Sequence, residues 1–193
     1  MSLNDEQWRF IHYVIQQSSL GAAFQVRRND TPVYASGVND ADKPDLHRAL
    51  YRSLDSYAGQ YFGQVTHDQH CRNLEDLANT LSDEFQNRNV LANDRFRIGI
   101  AQKALNLYLK FLWCLGKIPT PPHCPFDGTI LGELERRRRL SQPEEWRRMN
   151  DIEVYKRWVK AAWDQAKEEG LSIAEWELKH WQPAGAAGYA EGG

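Results

Sequence analysis

Apolar residues recur along most of this chain at spacings of three and four, the signature of helices with one buried face. Residues ~4–18 carry Trp8, Ile11, His12 and Ile15 on one such face. Pro44 suits the first turn of a second helix, because its locked φ is helical and its missing N–H would be unpaired there anyway. Leu46, Leu50, Leu54, Tyr57 and Tyr61 follow at helical spacing, and Gly59 and Gly63 weaken the end. Thr66 and Gln69 have the spacing of a capping box. The helix after them bears Leu74, Leu77, Ala78, Leu81 and Phe85, and a polar connector, Asn87–Asn93, closes it.

The strongest helix covers residues ~95–115. Ala101, Ala104, Leu105, Leu107, Tyr108, Leu109, Phe111, Leu112 and Trp113 take up most of its circumference. Gln102, Lys103, Asn106 and Lys110 are left in one narrow polar stripe. A helix that is apolar nearly all round is a central, buried helix. Lys103 and Asn106 therefore mark where a buried element reaches either a cleft or the surface. Gly116 ends this helix, and Pro119, Pro121, Pro122 and Pro125 hold the next segment extended. Asp127-Gly128 leads into another apolar stretch, Thr129–Leu134, and Ser141 with Glu144 has capping-box spacing. Asp151–Glu168 is clearly amphipathic and stops at Gly170. Ser172 and Glu175 open a last helix bearing Trp176, Leu178 and Trp181.

Gly21–Gly37 departs from helical periodicity in a different way. Residues 23–26 and 33–35 suit a β-hairpin around Asn29-Asp30, or else an irregular arm. The pattern thus predicts an all-α fold: one helical domain over 1–184, its N-terminal helix and arm within 4–40, and a flexible small-residue tail over 185–193.

Composition narrows the function classes. Seven Trp, eight Tyr and seven Phe in 193 residues argue for a packed core. A net charge of −2 provides no global field for nucleic acid, so any such contact needs a local patch. Three cysteines, Cys71, Cys114 and Cys124, supply no disulfide framework and suit a reducing compartment. The first residues are acidic and polar rather than a basic stretch leading to an apolar one, and Ala104–Leu115 is too short to span a bilayer. A cytoplasmic protein with no membrane partner is expected.

The segment Gly99-Ile-Ala-Gln-Lys103-Ala-Leu-Asn106, followed by a Gly/Pro-rich loop and Cys124-Pro-Phe-Asp127-Gly, resembles the helix-hairpin-helix DNA glycosylase superfamily. There a glycine-containing hairpin leads into a helix with a lysine near its start, often with Asn or Asp three residues later, and a loop delivers an aspartate just before the next helix. Lys103, Asn106 and Asp127 match those positions, and Ser172–Trp181 resembles the closing helix. The chain departs from the pattern in its hairpin, Arg97–Ala101, which has one glycine and no proline, and in its Lys-to-Asp spacing of 24.

The resemblance implies a helix-hairpin-helix glycosylase-like fold and a base-excision glycosylase or lyase acting on double-stranded DNA, with no cofactor. Lys103 and Asp127 would be catalytic, and Arg97, Gly99, Gln102, Asn106, Arg137 and Arg138 would contact DNA. The chemistry is coherent. Breaking an N-glycosidic bond passes through a cation-like sugar, which a carboxylate stabilises. An amine in a partly buried site has its neutral form favoured, and can then attack the sugar carbon. Amides at the hairpin and helix start would hold a phosphate, and aromatic side chains would receive an extruded base.

Two other classes remain open. A lysine on a polar stripe also suits a solvated surface lysine, and an aspartate before glycine suits a simple helix cap; the chain would then be a non-enzymatic helical interaction protein. Alternatively, His67, His70 and Cys71 share a helix face and, with Cys114, His123 or Cys124, could ligate zinc in a small metal-stabilised domain. Arg136–Arg139 with Arg147 and Arg148 form the most basic stretch, but Glu133, Glu135, Glu144 and Glu145 accompany them. That mixture suits a salt-bridged helix face as well as a phosphate contact.

Overall fold

The computed structural model of the protein describes residues 3–25 and 31–181. Among them are seven α-helices: α1 (Asp5–Phe24), α2 (Lys43–Ala58), α3 (His67–Glu84), α4 (Ile98–Cys114), α5 (Gly128–Arg136), α6 (Ile152–Glu168) and α7 (Ile173–His180). The fold is all-α, and no helix among the described residues is long and apolar enough to cross a membrane. The segment expected to be a flexible tail lies outside the described residues.

Local chemistry sets most helix starts. Asn4, Thr66, Asp127, Asp151 and Ser172 each accept a backbone N–H from the first turn that follows, satisfying an otherwise orphaned donor. Ser172 and Glu175 form the full reciprocal box, as do Asn4 and Gln7, whereas Thr66 accepts from Gln69 N without being repaid by its side chain. Ser141 caps nothing: residues 137–151 form turns, bends and irregular stretches with no helix, and Trp146 and Met149 in this segment are buried.

The N-terminal hairpin is not formed. Ala23 and Phe24 complete the last turn of α1, and Asn29-Asp30 lie outside the described residues. Tyr34 instead bridges Leu91, with Ala35 N donating to Val90 O and Ala92 N to Val33 O. The expected strand thus found its partner in the connector after α3. That connector turns through Asn87, Asn89 and Asn93 at positive φ, a conformation asparagine tolerates better than most residues.

At the centre runs α4, packed against α1, α2 and α3. Ile100, Ala101, Ala104, Leu105 and Leu109 are fully buried. On one side Tyr108 OH donates to Asp55 Oδ1 at 2.5 Å, and Gln16 Nε2 donates to Asp55 Oδ2 at 3.0 Å, so one carboxylate ties α1, α2 and α4 together.

The start of α4 explains Gly99. A Cβ there would sit 1.7 Å from Trp146 O, and Gly99 N donates to Met149 O at 2.9 Å. The glycine is thus inside the helix, where it lets the 146–149 turn lie directly on the backbone, and not in a hairpin loop ahead of it. Gly99→Ala must push a buried backbone apart and should cost about 3 kcal/mol. Thermal unfolding followed by circular dichroism should show a loss of roughly 6–12 °C. An unchanged midpoint would mean that the turn is not held in this way.

Candidate functional site

Asp127 is placed by the start of α5. The proline-rich segment has no helical hydrogen bonds to spend, and it enters α5 through the Asp127 cap: Oδ1 accepts from Thr129 N at 2.9 Å and Ile130 N at 3.1 Å. The other oxygen, Oδ2, accepts from Lys103 Nζ at 2.8 Å. The lysine comes from the second turn of α4, and only a tenth of its side chain is exposed. Burial pushes the Asp127 carboxyl up. The Lys103 charge and hydrogen bond, with the two cap N–H groups, outweigh it and hold the group below the ordinary carboxylate value.

The pair lies in a cleft of about 770 Å³ whose walls include Leu107, Phe111, Pro125, Trp146 and Trp181. That size and mix of apolar walls with a few convergent charges are typical of sites for small molecules. Lys110, two helical turns after Lys103, also lines it and donates to Glu177 Oε2 at 2.7 Å and Oε1 at 3.0 Å. Its ammonium sits 4.8 Å from the centre of the Trp181 ring. Burial pushes the Glu177 carboxyl above its ordinary value despite Lys110. Arg147, also in the cleft wall, donates from Nε to Gln25 O.

Other expected site residues are elsewhere. Arg97 is buried, donating to Arg147 O at 2.5 Å and Pro32 O at 2.7 Å. Gln102 and Asn106 are buried beneath the cleft, Gln102 bonded to the Phe126 backbone and Asn106 to Tyr155 OH at 3.1 Å. With Gly99 under the 146–149 turn, none of these four presents a side chain to a DNA surface. The amides at the start of α4 are likewise occupied: Ile98 N donates to Asn150 Oδ1 and Gly99 N to Met149 O, which leaves no phosphate cradle there. Arg137 pairs with Glu133 at 2.5 Å, Arg136 pairs with the same glutamate, and Arg139 pairs with Glu168; Arg138 is exposed at positive φ. The arginine run is thus largely a salt-bridged surface.

The zinc arrangement is not realised. His67 and His123 do meet, with ring nitrogens 2.9 Å apart, and His70 packs edge-on to His123. However, His123 Nδ1 is engaged by Tyr155 OH and His70 Nδ1 by Tyr61 OH, and burial pushes His70 down to about 3. Cys71 and Cys124 are buried and Cys114 is exposed at the cleft. Among the described residues no group of three or more His, Cys, Asp or Glu side chains could hold a metal ion.

Sequence reasoning missed Glu177, Trp146, Arg147 and Trp181 as cleft residues. Lys110 was legible as the next member of the Lys103 stripe. Nothing in the local pattern of α7 shows that Glu177 is buried against it. Trp158 and Trp176 are core, whereas Trp163 and Trp181 are more than two-fifths exposed. No protein-family model, curated protein or solved structure matches this chain.

Two predictions follow from the electrostatics. Glu177→Ala strands a mostly buried ammonium and should cost about 3 kcal/mol, whereas Lys110→Met with Glu177→Leu should recover most of that loss. Chemical denaturation of the three proteins checks it, and a double variant as unstable as the single one would show that packing, not charge, governs the pair. For Asp127, a folded-state value below the unfolded one means stability that is full above the ordinary carboxylate range and lost as pH falls through the lowered value. Asp127→Asn, which can still cap α5, should therefore be less stable by about 2 kcal/mol at neutral pH. The difference should vanish in acid; a gap that persists there would rule out the ion pair as its source.

Proposed function

We propose that this protein is a cytoplasmic base-excision enzyme of the helix-hairpin-helix glycosylase type, acting on double-stranded DNA. The observation that carries this reading is the convergence of Lys103 and Asp127, far apart in sequence, at 2.8 Å in one cleft. Pairing an amine with an ionised carboxylate in a partly desolvated pocket is what N-glycosidic cleavage by a lysine nucleophile requires.

In this mechanism a nucleotide leaves the stack and its base enters the cleft between aromatic walls that include Phe111, Trp146 and Trp181. Lys110, with two of its three N–H bonds given to Glu177, offers the remaining donor to the base edge. As the bond from C1′ to the base breaks, the electron pair leaves with the base, which takes up a proton. Asp127 stabilises the positive charge on the sugar. The Lys103 ammonium gives that proton to the departing base, its nitrogen attacks C1′, and a proton then passes from the nitrogen to the ring oxygen as the C1′–O4′ bond breaks, which opens the sugar and yields a Schiff base. Because Arg97, Gly99, Gln102 and Asn106 are internal, phosphate contacts fall to exposed groups such as Arg138.

A second reading, a helical interaction protein, is favoured by one observation: Phe10, Tyr13 and Val14 form an exposed apolar stripe on α1.

Borohydride trapping on a panel of duplexes with damaged bases or abasic sites separates the two. A covalent adduct with wild type that disappears in Lys103→Ala is the expected outcome. Asp127→Asn should slow trapping by a factor of about 10²–10³. Absence of both trapping and salt-sensitive DNA binding would overturn the enzymatic reading in favour of the interaction protein.

A further inference from the structure

Gln102 is fully buried, carries no charge and lies next to Lys103 on α4. Its carboxamide is saturated. Nε2 donates to Phe126 O at 2.7 Å and to Gly99 O at 3.1 Å. Oε1 accepts from Phe126 N at 3.0 Å and from Asn106 Nδ2 at 3.3 Å. Both donors and both acceptor sites of the side chain are thereby used. Two of the four bonds grip the N–H and the C=O of a single residue, Phe126, as a neighbouring strand would.

The residue gripped is the one before Asp127. The preceding segment is rich in proline and has no ladder or helix to fix its height along α4. A carboxamide is the side-chain group that presents a donor and an acceptor in one plane, and so can hold both polar atoms of one backbone residue. Asn106 orients that amide: its Nδ2 donates to Gln102 Oε1 and also to Tyr155 OH at 3.1 Å, and Tyr155 OH is in turn within 2.9 Å of His123 Nδ1. Adjacent residues on a helix have a fixed angular and axial offset. Whatever Gln102 holds is therefore held at a set position relative to Lys103.

We propose that Gln102 is a positioning residue: by clamping the Phe126 backbone it sets the register of the proline-rich loop on α4 and hence the separation of Asp127 from Lys103. This assigns the polar stripe two jobs, with Lys103 facing the cleft and Gln102 with Asn106 holding the loop from behind. The catalytic relevance rests on the reading of the cleft given above; the clamp itself does not.

The test uses the full chain without DNA first. Gln102→Met keeps the volume and helix propensity but removes all four bonds. In its NMR spectra the Phe126 amide should exchange at least about tenfold faster than in wild type, with the amides of Leu105–Leu109 unchanged. The Asp127 carboxyl should titrate closer to the ordinary carboxylate value. If Gln102→Met does not fold, Asn106→Ala, which frees the amide to rotate, is read in the same way with a smaller effect. Unmoved Phe126 exchange and unmoved Asp127 titration in a folded variant would overturn the proposal, because a merely space-filling role alters stability without moving either. Borohydride trapping then separates the two readings. Slower trapping by Gln102→Met at unchanged DNA affinity supports both. No trapping by wild type, with the NMR changes present, removes the enzymatic reading and leaves the clamp standing.

Discussion

A helix wrapped on nearly every side cannot leave its polar groups to water, and α4 is such a helix. Each polar side chain it carries has to find a partner inside the protein or lose free energy comparable to a missing hydrogen bond. The rest of the structure arranges itself around that demand. Gln102 takes the Phe126 backbone, Lys103 takes Asp127, Asn106 takes Tyr155, and Lys110 takes Glu177. These partners come from the loop before α5, from α6 and from α7, so the polar stripe recruits the C-terminal half of the chain. The apolar remainder of α4 meanwhile packs on α1, α2 and α3.

The two ion pairs in the cleft are not equivalent. Asp127 has its own supply of backbone N–H donors and remains below the ordinary carboxylate value even though burial opposes it. Glu177 is more deeply enclosed, with 3% of its side chain exposed, and burial wins there. Side by side, one carboxyl is held below the ordinary carboxylate value and the other above it. Separation of this kind allows neighbouring acids to take different roles in one site. The protein pays for it with charge placed away from water, partly offset by contacts such as that of Lys110 with the Trp181 ring.

The local signals in the sequence were sound where chemistry is short-range. The helices and most of their caps, the buried character of α4 and the end at Gly170 follow from spacing and from residues adjacent in sequence. The convergence of Lys103 and Asp127 was suggested only by resemblance, because nothing in periodicity links residues separated by four prolines. Gly99 shows the limit most clearly. A glycine at the start of a helix reads as hairpin or phosphate-loop chemistry, but its actual constraint is a carbonyl nearly fifty positions away. The expected strand at residues 33–35 failed for the same reason: its partner was the connector at 90–92, invisible to any local turn signal. Arg97, Gln102 and Asn106 were expected at a DNA contact from the resemblance alone. Their burial depends on tertiary partners that a single sequence does not display.

A structural role for Asp127 does not exclude a chemical one. A cap residue and a catalytic carboxylate look like competing explanations of one aspartate. Here the two oxygens divide the work, Oδ1 holding the first amides of α5 and Oδ2 facing Lys103. The cap donors and the positive end of the helix stabilise the anion without help from the lysine. Any reaction in which Lys103 gives up its proton or forms a covalent bond deprives Asp127 of its cationic partner. A carboxylate that depended on that partner alone would tend to take the proton and lose its charge at that moment. One anchored by two backbone N–H groups has a second source of stabilisation and can stay ionised, available to a positive charge developing in the cleft. Capping is therefore the physical means by which this aspartate could keep its charge through a step that neutralises its neighbour.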